Sequence, residues 1–349
     1  MKKGTAAIFN ADKQSFEFSS FPKPQPRGQE LLVRNSYVTL CSSDLKTYSG
    51  ERKEANPTIL GHEACGHLEA LGPDAAVIDE KGQPLHIGDR LTWAVFASPK
   101  EDPQSQAGRP QKAEGLFKYG HEKHTADCSW HGGLADYTLL RPNSIIIKVK
   151  DSMPIPVLAM ANCAVATMAG AIRLAGPMNG MSVLIAGAGT LGLVGCAMSK
   201  VAGASKIAVV EPVEHRRAKA SAFGATHTYT TESVAGSFDI VLETSGIPAS
   251  MERTLELLSI GGRAIWVGAV FPQRKVEIGA EQLIRGLHTI KGLHNYNRLD
   301  FIRAVDFLEN YHSRFPFNLI VEKEFPLSEA KEAFKYAIIE KPLRVGIFL

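Results

Sequence analysis

Apolar positions in the first 150 residues come in short runs that stop at proline, glycine or a charged turn. Glu30-Leu31-Leu32-Val33-Arg34 follows Pro22, Pro24, Pro26 and Gly28, and His86-Ile87-Gly88-Asp89-Arg90 reads as a turn into Leu91-Thr92-Trp93-Ala94-Val95. Runs of this length with this punctuation predict strands, so the region reads as β-rich. From Ser98 to Ser129 the pattern dissolves into a polar stretch rich in lysine, glutamine and proline. So long an irregular segment inside a compact domain is usually functional or mobile.

The pattern changes near Met153. Val183-Leu184-Ile185-Ala186, Ile207-Ala208-Val209-Val210, Ile240-Val241-Leu242 and Ala264-Ile265-Trp266-Val267 are continuously apolar, as strands buried on both faces are. Helical stretches separate them at Leu191 to Ala202, Glu214 to Phe223 and Pro248 to Leu258. This alternation predicts an α/β fold with a doubly wound parallel sheet. After Asn297 a helix over Asp300 to Tyr311 leads to a βαβ-like segment, with Ser328 placed to cap Glu329 to Ile338 and a strand at Arg344 to Leu349. If that tail returns to the first domain, residues 1–153 and 297–349 form one unit around an inserted one, 154–296. No internal repeat interrupts this plan.

Composition narrows the picture. A chain of 349 residues exceeds one ordinary core, in keeping with two domains. With 44% hydrophobic and 21% charged residues it is globular rather than disordered or fibrous. The formal net charge is only +3 and its basic residues are scattered, which argues against nucleic acid as a partner. Ile155 to Ile172 is the most membrane-like stretch, yet small residues dominate it and Pro156, Asn162 and Thr167 interrupt it, so it reads as a buried helix. Cysteines at 41, 65, 128, 163 and 196 show no disulfide-framework spacing, and no secretory apolar core follows Lys2-Lys3; the expectation is a reducing, cytoplasmic setting.

Gly187-Ala188-Gly189-Thr190-Leu191-Gly192 lies between a predicted strand and a predicted helix. In that context Gly187 permits the tight turn, Gly189 lets backbone approach a pyrophosphate and Gly192 lets the helix pack on the sheet. The anion would sit on the helix N-terminus, at Thr190 and Leu191. Glu211 ends the next strand, where a carboxylate accepts hydrogen bonds from the adenosine ribose and repels a 2′-phosphate, favouring NAD over NADP. Arg216 and Arg217 just beyond soften that preference.

Two thiols and an imidazole complete the candidate chemistry: Cys41 in Cys41-Ser42-Ser43-Asp44, His62 in Gly61-His62-Glu63-Ala64-Cys65-Gly66, and Cys163 in Ala161-Asn162-Cys163-Ala164. Each alone has an ordinary reading, a cysteine as a small buried hydrophobe and a histidine as a hydrogen-bonded core residue. Cys65 and Cys196 read that way. Together, Cys41, His62 and Cys163 would leave tetrahedral zinc one open position, the arrangement of a catalytic site. Asp44 suits the second N–H of a metal-bound imidazole.

Cys41-x-x-Asp44, Gly61-His62-Glu63-x-x-Gly66, Gly88-Asp89-Arg90, Cys163, the glycine turn and Glu211 follow one another in an order that resembles the zinc-dependent medium-chain dehydrogenase/reductase family of alcohol and polyol dehydrogenases, over essentially the whole chain. The resemblance implies a GroES-like catalytic domain split around a Rossmann domain. It implies one catalytic zinc on Cys41, His62 and Cys163, with Glu63 behind it as a transient ligand. Ser43 matches a hydroxyl that passes the substrate proton toward solvent, and Lys46 stands where some relatives keep a relay histidine. Arg344 matches an arginine at the cofactor pyrophosphate, Arg216 a residue near the adenosine ribose, and Val267 and Gly268 backbone near the nicotinamide amide. A homodimer or homotetramer through the nucleotide domains is also implied, with Ala264 to Val267 near the join.

The chain departs from many relatives where they keep four cysteines for a structural zinc: its stretch holds only Cys128. Lys112, Lys118, His121, Lys123, His124 and His131 stand there instead, and Lys118-Tyr119-Gly120-His121-Glu122 resembles the alcohol dehydrogenases associated with phosphonate catabolism. The function implied is oxidation of a small alcohol, anionic or phosphonate-like, to its aldehyde or ketone with NAD. A zinc-free quinone or enone reductase of the same fold and a non-catalytic nucleotide-binding protein are the alternatives.

Overall fold

Residues 2–349 are described by a computed structural model. The chain divides into two compact units, one of residues 1–163, 297–312 and 317–349 and the other of 164–296 and 313–316. The first begins with β1 (Lys3–Asn10), β2 (Ser15–Pro22) and β3 (Leu31–Thr39), then α1 (Ser42–Tyr48), β4 (Thr58–Ile59), β5 (Glu63–Leu71) and β6 (Arg90–Ala97). A short α2 (Pro103–Gln106), β7 (Phe117–Lys118), β8 (Tyr137–Leu140), β9 (Ser144–Lys148) and α3 (Ile155–Ala159) follow. The second unit runs α4 (Ala166–Ala175), β10 (Ser182–Ala186), α5 (Thr190–Val201), β11 (Lys206–Val210), α6 (Glu214–Lys219), β12 (His227–Tyr229) and β13 (Phe238–Glu243). It continues with α7 (Pro248–Glu256), β14 (Leu258–Trp266), α8 (Ala280–Arg285) and β15 (Thr289–Gly292). The chain then returns to the first unit with α9 (Arg298–Tyr311), β16 (Val321–Pro326), α10 (Ala330–Glu340) and β17 (Arg344–Phe348).

In the first unit the principal sheet is ordered β16-β17-β3-β5-β6-β7, with β8 also on β3 and β9 also on β6. β17 pairs antiparallel with β3, setting Gly346 opposite Thr39, so the tail returns to this unit by strand pairing. The parallel pair β16–β17 is closed over by α10. Phe334 of α10 packs 5.0 Å from the ring of Tyr48, which anchors α1 beneath the aromatic group of Phe9, Phe16 and Tyr48.

The second unit is a six-stranded parallel sheet ordered β12-β11-β10-β13-β14-β15. The order reverses after β10, the topology that places nucleotides outside the strand ends at the switch point. Leu184, Ala208, Val241 and Ala264 are fully buried because helices cover the sheet, which is why these strands read as continuous apolar runs.

Several sequence-based expectations need correction. The boundary falls after Cys163 rather than at 153, because α3 packs on β3 and β5. The expected single helix over Ile155 to Ile172 is broken into α3, a wide π turn at Ala161–Val165, and α4. Ser328 is not a cap: it lies within a 3₁₀ turn, Leu327–Glu329, and Glu329, just ahead of α10, makes no side-chain cap. The polar stretch from 98 to 129 is ordered in part by Asp102, whose carboxylate accepts from the backbone N–H groups of Gln104, Ser105 and Glu114. Among the described residues no helix is long and apolar enough to cross a membrane.

Candidate metal centre and nucleotide turn

Cys41 caps the start of α1, and Asp44 sits one turn into it. The buried Asp44 carboxylate accepts from the backbone N–H of Cys41 at 3.0 Å and of Gly61 at 3.4 Å, and faces His62 Nδ1 at 3.2 Å. One side chain thus ties two candidate ligands from different elements and leaves Nε2 of His62 for a metal. Asp44 is a positioning residue. Cys163 comes from the π turn, whose neighbour Asn162 is fully buried and donates to the carbonyls of His62 at 3.0 Å and Trp93 at 2.9 Å.

The result is one cluster: ligand atoms of Cys41, His62, Glu63 and Cys163 all lie within 4.8 Å of one another. Glu63 is fully buried and held from behind. Thr39, its partner across β3–β5, donates to Oε2 at 2.6 Å, and Arg344 donates Nε to Oε2 and Nη2 to Oε1, each at 3.0 Å. Arg344 also donates Nη1 to the Leu343 carbonyl and places Nη2 3.9 Å from Cys41 Sγ. From the sequence Arg344 is expected at a cofactor phosphate; its hold on Glu63 beside Cys41 is not indicated there.

The electrostatics are those of a cation site. Two thiols this close share a proton: the hydrogen bond with Cys163 takes the Cys41 thiol well below its ordinary value, while the same contact and burial hold the Cys163 proton well above. Burial disfavours a charged His62, but Asp44 and Cys41 outweigh it and raise its pKa well above the usual histidine value. Soft sulfur, imidazole and one carboxylate, with the second imidazole nitrogen on an acid, fit zinc. By contrast burial pushes the Cys65 and Cys196 thiols up to about 12, for Cys65 against the opposing charge of Arg90.

Of the relay candidates, Ser43 is half-buried on α1 and its hydroxyl makes no hydrogen bond among the described residues; its carbonyl accepts from Thr47. Lys46 is in the last turn of the same helix. The ring of His121, from the loop motif Lys118 to Glu122, lies 5.1 Å from that of His62.

The glycine turn joins β10 to α5 in the second unit. Gly187 has φ +96°, and a side chain at Gly192 would put Cβ 1.9 Å from the Gly187 carbonyl oxygen, so both must be glycine. A Cβ on Gly189 would meet nothing within 4 Å: protein does not fill the space its backbone faces. Thr190 and Leu191 open the helix, the end whose dipole favours an anion. Glu211, just past β11, is buried and accepts from Ala188 N–H of the turn at 2.7 Å and Val213 N–H at 3.0 Å. Arg216 stands on the first turns of α6, and Arg217 donates to the Glu211 carbonyl at 2.7 Å. Val267 and Gly268 both donate backbone N–H groups to the Glu243 carbonyl, at 2.9 and 3.2 Å.

Family models agree with both halves of this description. The alcohol dehydrogenase GroES-like domain matches residues 27–151 and the zinc-binding dehydrogenase model matches residues 190–310. The chain belongs to the zinc-dependent medium-chain dehydrogenases. This dehydrogenase is 29% identical to an L-threonine 3-dehydrogenase of Thermococcus kodakarensis over 294 residues, 78% of this chain and 77% of that one. A benzyl alcohol dehydrogenase structure from Acinetobacter calcoaceticus is 26% identical with a TM-score of 0.86 over 100% of both chains. An alcohol dehydrogenase from Thermotoga maritima, 24% identical, shares the fold with a TM-score of 0.93 over 100% of both chains. The dehydrogenase is accordingly an oxidoreductase of CH–OH donors, with zinc and a nicotinamide nucleotide as its cofactors.

Proposed function

We propose that the chain is an NAD-dependent alcohol dehydrogenase with one catalytic zinc, acting on a small alcohol that carries an anionic, phosphonate-like group. The observation that carries this reading is the convergence of Cys41, His62 and Cys163 with Asp44 already on His62 Nδ1. Zinc in such a site supplies a Lewis acid that lowers the pKa of a bound hydroxyl, as it does that of water, toward about 7. Cys41, His62 and Cys163 hold the ion, and Glu63, restrained by Thr39 and Arg344, is the transient fourth donor. Ser43, its hydroxyl uncommitted, accepts the alcohol proton and Lys46 passes it toward solvent.

The nicotinamide supplies the hydride acceptor. Gly187, Gly189, Thr190, Leu191 and Gly192 cradle its pyrophosphate, and Arg216 lies by the ribose. Val267 and Gly268 present backbone to the nicotinamide amide. A buried carboxylate at Glu211 supports NAD, because a 2′-phosphate there would meet like charge. A homodimer or homotetramer through the second unit is supported by β15, whose outer edge is unpaired, and by Ile260, Ile284 and Leu287, which are 81%, 71% and 70% exposed. Five free cysteines support a reducing, cytoplasmic setting.

The test is metal analysis together with NADH production over an alcohol panel. One zinc per chain and faster turnover with NAD than NADP are expected. A metal-free protein that reduces quinones or enones overturns the reading. Ser43→Ala should lower turnover about a hundredfold while zinc content holds.

A further inference from the structure

Beside His62 the first unit gathers charge that hydride chemistry does not use. β7 pairs with β6, setting Lys118 opposite Phe96, and the chain then turns onto the candidate ligand. Gly120 lies so close to Gly61 and His62 that a side chain there would meet them at 3.1–3.2 Å, and His121 follows against the His62 ring. Glu54 faces His121 Nδ1 at 3.3 Å and pairs with Arg52. Lys118 is within electrostatic range of Arg52, Lys112, Glu54 and Cys163. Arg52 and Lys118 therefore both act on one carboxylate, and that carboxylate is already shared between Arg52 and His121.

Lys118 is half-buried, and among the described residues its ammonium makes no hydrogen bond or ion pair. Partial desolvation of a cation among like charges is unfavourable unless an anion completes the group. We propose that Lys118, supported by Arg52, binds the anionic group of the substrate, a carboxylate or a phosphonate, and so selects anionic alcohols over neutral ones. This rests on the dehydrogenase reading above. Burial, then the charge of Arg52, holds the Lys118 ammonium below its ordinary pKa. A bound anion would relieve both effects. Lysine offers a compact charge to either anion, whereas arginine offers a fork of fixed geometry.

The experiment pairs kinetics with direct binding. Kinetics compare 3-hydroxypropanoate, 3-hydroxypropylphosphonate and butan-1-ol with NAD, in the unaltered holoenzyme and in Lys118→Met and Lys118→Arg. Calorimetry titrates acetate and methylphosphonate into the same three proteins, and the stronger of the two identifies the anion. In Lys118→Met the ratio of anionic to neutral kcat/KM should fall by about tenfold to a hundredfold, the anion Kd should rise similarly, and Lys118→Arg should recover part of both. An unchanged ratio with unchanged anion binding, or an equal loss for butan-1-ol, overturns the assignment and leaves the dehydrogenase reading intact. If no alcohol yields NADH the dehydrogenase reading falls instead, and calorimetry alone then decides whether Lys118 binds anions.

Discussion

The metal centre and the nucleotide turn are built on opposite principles. The first is made of side chains from elements far apart in sequence, held by other side chains: Asp44 on His62, Asn162 next to Cys163 on the His62 carbonyl, Thr39 and Arg344 on Glu63. The second is made of backbone within one strand–turn–helix, where what matters is the absence of side chains at Gly187, Gly189 and Gly192. A site of side chains fails through loss of atoms and a site of backbone fails through their gain. Each therefore has its own mutational signature, and the two signatures should separate.

Removal of a ligand gives the largest effect. Cys41→Ser should lower turnover at least about a thousandfold with loss of zinc, while NADH binding measured by fluorescence persists. Gly192→Ala is the mirror image: the added methyl meets the Gly187 carbonyl, so the second unit should lose about 3 kcal/mol in urea denaturation and its NADH affinity, with zinc retained. Gly189→Ala sharpens the contrast, because its methyl meets no protein; stability should stay within about 0.5 kcal/mol while NADH binding weakens. Loss of zinc in either glycine variant would break the separation.

Asp44→Asn tests whether the metal centre depends on what stands behind its ligands. Zinc affinity should drop about tenfold to a hundredfold in chelator competition, with the fold preserved. The smallest effect concerns His131, buried in the first unit with a pKa pushed down to about 3, chiefly by burial. It stays neutral in the fold, whereas the unfolded chain takes up its proton near 6.5. The unfolded state binds more protons between those values, so the contribution of His131 is complete above pH 6.5 and is lost as pH falls toward 3, by about 1.4 kcal/mol per pH unit. His131→Gln should flatten stability between pH 6 and 5 in urea denaturation; an unchanged slope would show that other groups set it.

The same contrast explains what could be read from the chain. Val183 to Ala186, the glycine turn and Glu211 declare themselves because strand, turn and helix are contiguous and their pattern is local. Cys41, His62 and Cys163 are visible as residue types, and the family resemblance joined them. Asn162, Thr39 and the hold of Arg344 on Glu63 escaped, since they depend on sheet register: Thr39 meets Glu63 only through β3–β5 pairing, and Arg344 arrives only because β17 adds to β3. Ser328 misled for a related reason, as a 3₁₀ turn ahead of α10 displaces the helix start that its sequence suggests.

Glu63 and its guanidinium partner stand 281 positions apart, and that interval has a consequence for biosynthesis. While a ribosome is still making the later part of the chain, both sulfurs and the imidazole already exist, but the neighbouring acid has no counter-charge. Metal captured then would find a stronger competing donor than in the finished protein. Only when the closing strand emerges and pairs with its antiparallel neighbour can the guanidinium reach that acid, so restraint of the acid waits on the tail.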